Sequence, residues 1–577
     1  MIFLLILYFL TLLLPHFVYL PKIFEKWNLP SYYGYIPFYN WFLCLKKLEK
    51  PTYWLVIFFS PGLNIFMLMM LQHDLARRFG FHRTFEIAQA IFFPFFLFKK
   101  MSDPEIVWQE KTDWNNENQV KSREKSDIFV LALLSFGFGL ILAILEKFKI
   151  LKAKKGKPTI VKEWTIDLAY AMVAATFLRL YLFELFMVPT GSMEKNMRIG
   201  DFLISSRFAY SVQLPRTPLS FPAFHNTVPL LNLPSYVDWI QFPQKKIEFS
   251  KPKRNDVVVF YFPAGDTAVM DPSNFQGHNY EQLLRSTSVE IAQSLGDKEY
   301  WKNRKKYIDL AREHFKTRFG IIYRPVDKRE NYVKRCVGLP GDSLSIVQGK
   351  ILINGKPTIE LENIQFRYQV LSKEKLNLDL LKEKLDIYAR DVEALGKNGA
   401  YFEYEILLTA RDASVLSTWN AVVKVQPNIE ENFSVYEDKT LFTFPNVKNF
   451  PDAQTHWNID NMGPIYLPKK GDQIELNPHN VVLYRRAIEN YEGHLLTEKN
   501  GQYFVDGNKQ THYTFQMNYY WMMGDNRHNS ADSRNWGYVP EDHIGGKPWL
   551  ILFSKDPEKN WFTGLRWHRF LKLVKND

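Results

Sequence analysis

Apolar runs crowd the first third of this chain, and they set the terms for everything after them. Residues 1–20 are nearly all apolar, and about 20 such residues suffice for a helix across a bilayer. The run has neither the basic start nor the small-residue cleavage site of a removable leader, so it reads as an anchor. Residues 53–71 form a second candidate span, interrupted by Pro61 and Gly62. Residues 85–98 are shorter and contain Glu86 and Pro94, which fits a third span, a re-entrant piece or an interfacial helix. Residues 128–145 and 164–183 are two further spans, the last with Arg179 and Glu184 close enough to its outer end to snorkel.

Orientation follows from the loop between those last two spans. It holds Lys147, Lys149, Lys152, Lys154, Lys155, Lys157 and Lys162, and loops rich in lysine stay in the cytoplasm. Everything after Phe183 is then expected outside. The earlier loops point both ways, with Lys46, Lys47 and Lys50 before the second span and Arg77, Arg78 and Arg83 after it. The formal charge of +12 over 577 residues would by itself admit nucleic acid. Many lysines flank apolar spans instead, where they face lipid headgroups, and no nucleic-acid motif accompanies them, so no nucleic-acid partner is expected. Cys44 and Cys336 fall in unlike surroundings and are not expected to pair. HExxH and P-loop patterns are absent, and neither a metal nor a cofactor is expected.

Past residue 192 the pattern changes to strands. Residues 201–205 and 256–262 (DVVVFYF) read as strands, and 343–355 as a hairpin about Gln348-Gly349 with Asn354-Gly355 as the next turn. Frequent turns and β-rich runs continue to the end, which makes this region mainly β. Residues 280–315 have helical spacing and read as one or two surface helices. Residues 366–425 alternate strand, helix, strand, helix, strand, and 444–471 look like a long ordered loop.

Three stretches carry chemistry. The first is residues 187–204, MVPTGSMEKNMRIGDFLI, where a hydroxyl-rich turn follows directly on the last apolar span. A serine there is a poor nucleophile unless a base takes its proton, and Gly191 lets a substrate backbone approach Ser192 closely. The Ser192 amide and the Thr190 hydroxyl are placed to stabilise an oxyanion. The second stretch, YVKRCVGLPG at 332–341, puts Lys334 in a strand-like run. Alternation points Lys334 and Cys336 to one face and Val333, Arg335 and Val337 to the other. If buried, the Lys334 amine loses its charge and becomes a base; otherwise it is an edge-strand lysine in water. The third, GDNRHNSADSRNWG at 524–537, is the densest polar run in the chain. It is either a solvated loop with a weak Asp532–Arg534 surface pair or a buried platform whose members satisfy one another.

Together these stretches resemble one family, the bacterial type I signal peptidases. PTGSM is similar to its nucleophile box, YVKRCVGLPGD to its general-base box and GDNRHNSADSRNWGYVPEDHIGGK to its third box, in the family's order. The resemblance spans about 164–263, 331–355 and 462–554 and leaves out the two insertions; the first hundred residues are more weakly similar to a multi-span module fused to some members. It implies Ser192 as nucleophile, Lys334 as general base and Thr190 as oxyanion donor. It further implies that Ser530 orients Lys334, that Asp532 and Arg534 form a supporting ion pair, and that Asp525 holds the loop. Phe186, Val188 and Val333 would line pockets for small residues. The implied enzyme is a serine endopeptidase of the bacterial inner membrane, multi-pass, with its site on the periplasmic side. Its partners would be signal-peptide-bearing preproteins, the lipid bilayer and the secretion translocon. Two places depart from the family pattern: Glu194-Lys195-Asn196 after Met193, where Pro-Thr-Leu is usual, and Asn255-Asp256 in place of Gly-Asp.

The expected fold class is therefore N-terminal transmembrane α-helices followed by a mainly-β, signal-peptidase-like catalytic domain with helical and α/β insertions. The chain would divide into a multi-span module (1–100), a linker with the fourth span and basic loop (101–163) and an anchor helix (164–187). A catalytic core in three parts follows (188–265, 321–358, 461–556), interrupted by a helical insertion (266–320) and an α/β insertion with a loop (359–460), before a C-terminal tail (557–577). Two rivals are a self-cleaving regulator on the same β fold, opposed by the spans, and a membrane-tethered binding protein with a degenerate protease domain.

Overall fold

A computed structural model describes residues 2–55, 63–81, 86, 89, 94–110, 182–213, 216–217, 225–228, 233–236, 238, 241, 246–270, 279–297, 300–431, 441–442, 457–560 and 563–574. The chain splits into two compact units, Met1–Leu180 with Thr217–Phe242 and Tyr181–Arg216 with Pro243–Asp577.

The N-terminal part of the first unit is helical: α1 (Ile2–Lys26), α2 (Tyr39–Lys47), α3 (Leu63–Arg78) and α4 (Pro94–Met101). Leu20, Ile23 and Phe24 of α1 pack with Cys44, Leu75 and Phe98 in one apolar core. The Lys26 amine donates to the carbonyls of Met101 (2.8 Å) and Ile106 (2.7 Å), which ties the end of α1 to the chain leaving α4. The helix expected to end at Leu71 continues to Arg78. Side chains of α1 are described from Leu14 onward, and the expected span 128–145 lies outside the described residues, as does 164–181. Among the described residues no helix is long and apolar enough to cross a membrane.

The second unit begins with a correction. The anchor helix was expected to run to residue 187, but its end is a strand, β1 (Phe183–Met187), antiparallel to β2 (Asp201–Ser206). The residues alternate, with Phe183, Leu185 and Met187 exposed and Glu184 buried, which is the period of a strand and not of a helix. Glu184 does not snorkel. It accepts hydrogen bonds from Arg207 (3.0 Å) and the Asn331 amide (2.9 Å) inside the unit.

The chain then supplies β3 (Val257–Tyr261), helices α5 (Tyr280–Ser294) and α6 (Tyr300–Arg318), and β4 (Asn331–Gly338). A hairpin follows, β5 (Ser343–Val347) and β6 (Lys350–Ile353). Its turn residues Gln348 and Gly349 have φ of 49° and 75°, the paired positive angles that a tight two-residue turn requires. The α/β insertion consists of β7 (Gln365–Ser372), α7 (Leu378–Leu385), β8 (Val392–Asn398), β9 (Tyr401–Thr409), α8 (Ala410–Ser417) and β10 (Val422–Pro427). β8 was not expected. Its VEALGKN has no apolar face to announce it, and it pairs only at the sheet edge, beside β9. Next come β11 (Met462–Tyr466), β12 (Tyr519–Met523), β13 (Val539–Pro540), the long β14 (Ile544–Ser554) and β15 (Lys572–Leu573). β11 falls within the stretch read as a loop and pairs with β5.

The main sheet runs β1–β2–β14–β3–β4–β12–β13, with β15 added on β14. β3 (VVVFY) and β12 (YYWMM) are buried at every position, as expected for central strands covered on both faces. β4, which carries Lys334, lies between them. The insertion forms its own sheet, β8–β9–β7–β10, over a core that includes Val370, Leu381, Ile406 and Leu416.

Candidate active site

Because β4 is a central strand, Lys334 cannot be the solvated edge lysine that its composition first suggests. Its backbone pairs with Val258 of β3, and its side chain is only 3% exposed. Tyr332 and Cys336 pack in one apolar cluster and Val333 in another, as the alternation predicts. The Lys334 Nζ lies 2.5 Å from the Ser192 Oγ. Burial is the largest influence on this amine and brings its pKa down to about 8. Arg534 pushes the same way, while Asp532 and Asp525 oppose it. An ammonium loses most of its hydration here, so the neutral form gains.

Ser192 sits in a single 3-10 turn, Gly191–Met193, and is itself buried. The turn is held from the third polar stretch. The Asn526 amide N–H donates to the Ser192 carbonyl (3.0 Å), and its side-chain amide to the Gly191 carbonyl (3.2 Å). Thr190 is extended (φ −130°, ψ 155°) and exposed, and among the described residues its hydroxyl has no hydrogen-bond partner.

The polar run behind Lys334 is a buried platform and not a solvated loop. Asp532 and Arg534 form an ion pair at 2.9 Å with both side chains buried. Asp532 also caps the short helix Ser533–Trp536 and accepts from the Gly524 amide at 3.1 Å. Burial alone would raise its pKa; the Arg534 charge and hydrogen bonds, with the Lys334 charge, outweigh that and hold it below the ordinary carboxylate value. Asp525 meets a partner that the sequence reading passed over. Arg335 donates from Nε and Nη2 to its two carboxylate oxygens, each at 2.7 Å. Part of the signal was available: an arginine inside an apolar strand needs a polar partner, and the polar run offers Asp525 and Asp532.

Ser530 differs from its expected role. Its hydroxyl donates to the Ala531 carbonyl at 3.4 Å, and among the described residues no hydrogen bond joins it to Lys334. It packs instead on Gly524, where a Cβ would lie 2.3 Å from the Ser530 Oγ and 2.6 Å from the Ser192 carbonyl oxygen. Phe186, Val188 and Val333 gather with Met193 and Met197 in one apolar cluster beside the serine turn. Asn255 accounts for one departure: its φ is 69°, a left-handed conformation that asparagine tolerates better than most residues and that glycine adopts freely.

The arrangement is a buried amine within hydrogen-bonding distance of a buried hydroxyl, beside the exposed Thr190. An amine that is neutral in such a place is able to accept a hydroxyl proton. Comparison with known proteins points the same way. Residues 161–400 and 468–553 match the family described as Signal peptidase, peptidase S26. Residues 32–111 match DUF5684, a family of unknown function. The chain is 24% identical to Signal peptidase I of Haemophilus influenzae over 411 residues, 70% of this chain and 74% of that protein. It is 22% identical to Signal peptidase I of Buchnera aphidicola subsp. Schizaphis graminum over 390 residues, 67% of this chain and 74% of the relative. A short stretch of 36 residues is 58% identical to Signal peptidase I of Aquifex aeolicus, covering 6% of this chain and 14% of that one.

Proposed function

The chain belongs to the signal peptidase S26 family of serine endopeptidases, and from that premise we propose that it removes N-terminal signal peptides from exported preproteins with a Ser192–Lys334 dyad. The observation that carries the reading is the buried Lys334 amine 2.5 Å from the Ser192 hydroxyl. The neutral amine takes the hydroxyl proton, and the Ser192 Oγ bonds to the scissile carbonyl carbon. The Ser192 amide and Thr190 hydroxyl donate to the oxyanion. Protonated Lys334 then gives its proton to the leaving amine as the C–N bond breaks. Next it deprotonates a water, which hydrolyses the acyl ester. These steps call on the chain's own groups and water. Phe186, Val188 and Val333 offer shallow apolar recesses for small residues flanking the cut.

The substrate's signal segment lies in lipid, and the sheet beside the site is suited to meet it. Leu185 pairs with Ile204, Ile204 with Leu550 and Leu550 with Leu573, so four aliphatic residues line one row across β1, β2, β14 and β15. Both ends of the row, Leu185 and Leu573, are 59% exposed, and Trp549, Trp567 and Phe570 nearby are exposed too. An apolar surface with indole rings suits the bilayer interface. With the apolar spans of the N-terminal sequence, it supports a multi-pass protein of the bacterial inner membrane, its site on the outer side near the translocon.

The direct test is incubation of the purified chain in detergent with a signal-bearing preprotein. Release of the mature protein by a cut after a small residue is expected; self-cleavage alone, or no product, rejects the proposal. The pH profile is a second test. Below its pKa of about 8 Lys334 is protonated and cannot accept the serine proton. Therefore kcat/KM should rise about tenfold per pH unit and level off near that value. A profile flat from pH 5 to 9 would remove Lys334 as the base. Gly524→Ala is a third. The new methyl would drive into Ser530 and the Ser192 carbonyl, and a misplacement near 1 Å costs on the order of 10²-fold in rate. Activity close to that of the parent would mean that the serine turn is not held there.

A further inference from the structure

The remaining departure from the family pattern, Glu194-Lys195-Asn196 after Met193, is explained by the α/β insertion. Lys195 Nζ lies 3.1 Å from the Asp412 carboxylate at the start of α8 and donates to the Leu385 carbonyl at the end of α7 (2.7 Å). Arg198 pairs with Asp386, and Glu194 faces Arg390 at 3.6 Å. Glu194, Lys195 and Arg198, just after the nucleophile turn, thus meet three opposite charges on one insertion. The same insertion also grips the other arm of the site. The Gln365 amide of β7 donates to the Asp525 carbonyl (2.9 Å), and the Arg527 amide donates back to the Gln365 carbonyl (2.9 Å). The Arg367 amide donates to His528 Nδ1 at 3.1 Å, and His528 Nε2 meets Asp460 at 2.8 Å.

Two features mark the nucleophile side as held and not merely touching. Lys195 has φ of 69°, a left-handed backbone unusual for lysine, and such strain persists only where surroundings impose it. Glu194 is buried, its Oε2 lacks a hydrogen-bond partner among the described residues, and that oxygen lies 3.3 Å from where a Gly191 Cβ would be. Burial lifts its carboxyl to about 7 despite the opposing charge of Arg390. Residues 401–467, which include Asp412, lie outside the family match.

We propose that the α/β insertion is a positioning device for this active site, clamping the turn that carries Ser192 through Lys195–Asp412, Arg198–Asp386 and Glu194–Arg390 while β7 fixes the platform behind Lys334. Lys195 and Asp412 are positioning residues, since they act through the turn. The kinetic part of this inference rests on the Ser192–Lys334 reading; the exchange part does not.

The test is a double-mutant cycle in the full chain. Lys195→Met removes the amine but keeps its stem, and Asp412→Asn removes the charge but keeps an oxygen able to cap α8. Each single variant should lower kcat for preprotein cleavage roughly tenfold with KM little changed. The double variant should be no worse than either single one, the signature of a shared interaction, and Lys195→Arg should retain most of the parent's kcat. Amide exchange at residues 194–198 should accelerate in both single variants while exchange in β9, the insertion's central strand, stays slow. Additive losses, or unchanged kcat together with unchanged exchange at 194–198, overturn the clamp. If Lys334→Met leaves cleavage intact while exchange at 194–198 still responds to Lys195→Met, the dyad falls and the clamp stands.

Discussion

Lys334→Met is expected to reduce preprotein cleavage by roughly 10⁴-fold, the upper range for losing a general base, while the protein folds as before. The reasoning begins with burial. The lysine stem, on the central strand β4, is already buried, with the residue 3% exposed, and methionine replaces that stem with little change of volume. What disappears is the side-chain group that, among the described residues, lies within hydrogen-bonding distance of the Ser192 Oγ. Ser192→Ala should fall as far, and the double variant no further, because nucleophile and base act as a unit. Quantitative cleavage assays at fixed preprotein concentration, with circular dichroism as a control for folding, decide the matter. If Lys334→Met cut within tenfold of the parent, another base would have to be found.

The largest effect on stability is expected at Asp525→Ala. This carboxylate is fully buried, and Arg335 holds both of its oxygens. Removing the carboxylate takes away the counter-charge that holds Nε and Nη2 of a buried guanidinium, at a cost of about 3–5 kcal/mol. Arg335 also donates to the Asn255 carbonyl at 2.8 Å, which softens the loss without supplying a counter-charge. Replacing both partners, as Arg335→Met with Asp525→Leu, should recover most of the stability, since a well-packed apolar pair avoids the desolvation altogether. Urea unfolding followed by the fluorescence of the buried Trp521 and Trp536 would report it. A loss below about 1 kcal/mol in the single variant would mean that water reaches Arg335.

The residues with chemistry in them were legible because chemistry constrains residue type. A serine in a glycine-bearing turn, a lysine inside a β-branched run and a dense polar stretch between apolar flanks each need an explanation, and in the fold they meet. The central strands were legible for a related reason: VVVFY and YYWMM have no polar face to turn outward. The edge strand β8 and β11 were not, because an edge or a Pro-Gly-rich run has no periodicity to reveal it. The segment ending at Met187 was misread because five residues, FELFM, can continue an apolar helix or begin a strand. Pairing with β2 decided it.

Sequence by itself singled out the candidate nucleophile, the candidate base and their order along the chain, since few residue types can do this work. Which charges face which was a matter for tertiary structure. The pairing of Arg335 with Asp525 and the insertion's hold on Lys195 through Asp412 join residues 190 and 217 positions apart. Only a folded chain brings such groups to about 3 Å, and only burial gives the contacts enough strength to matter.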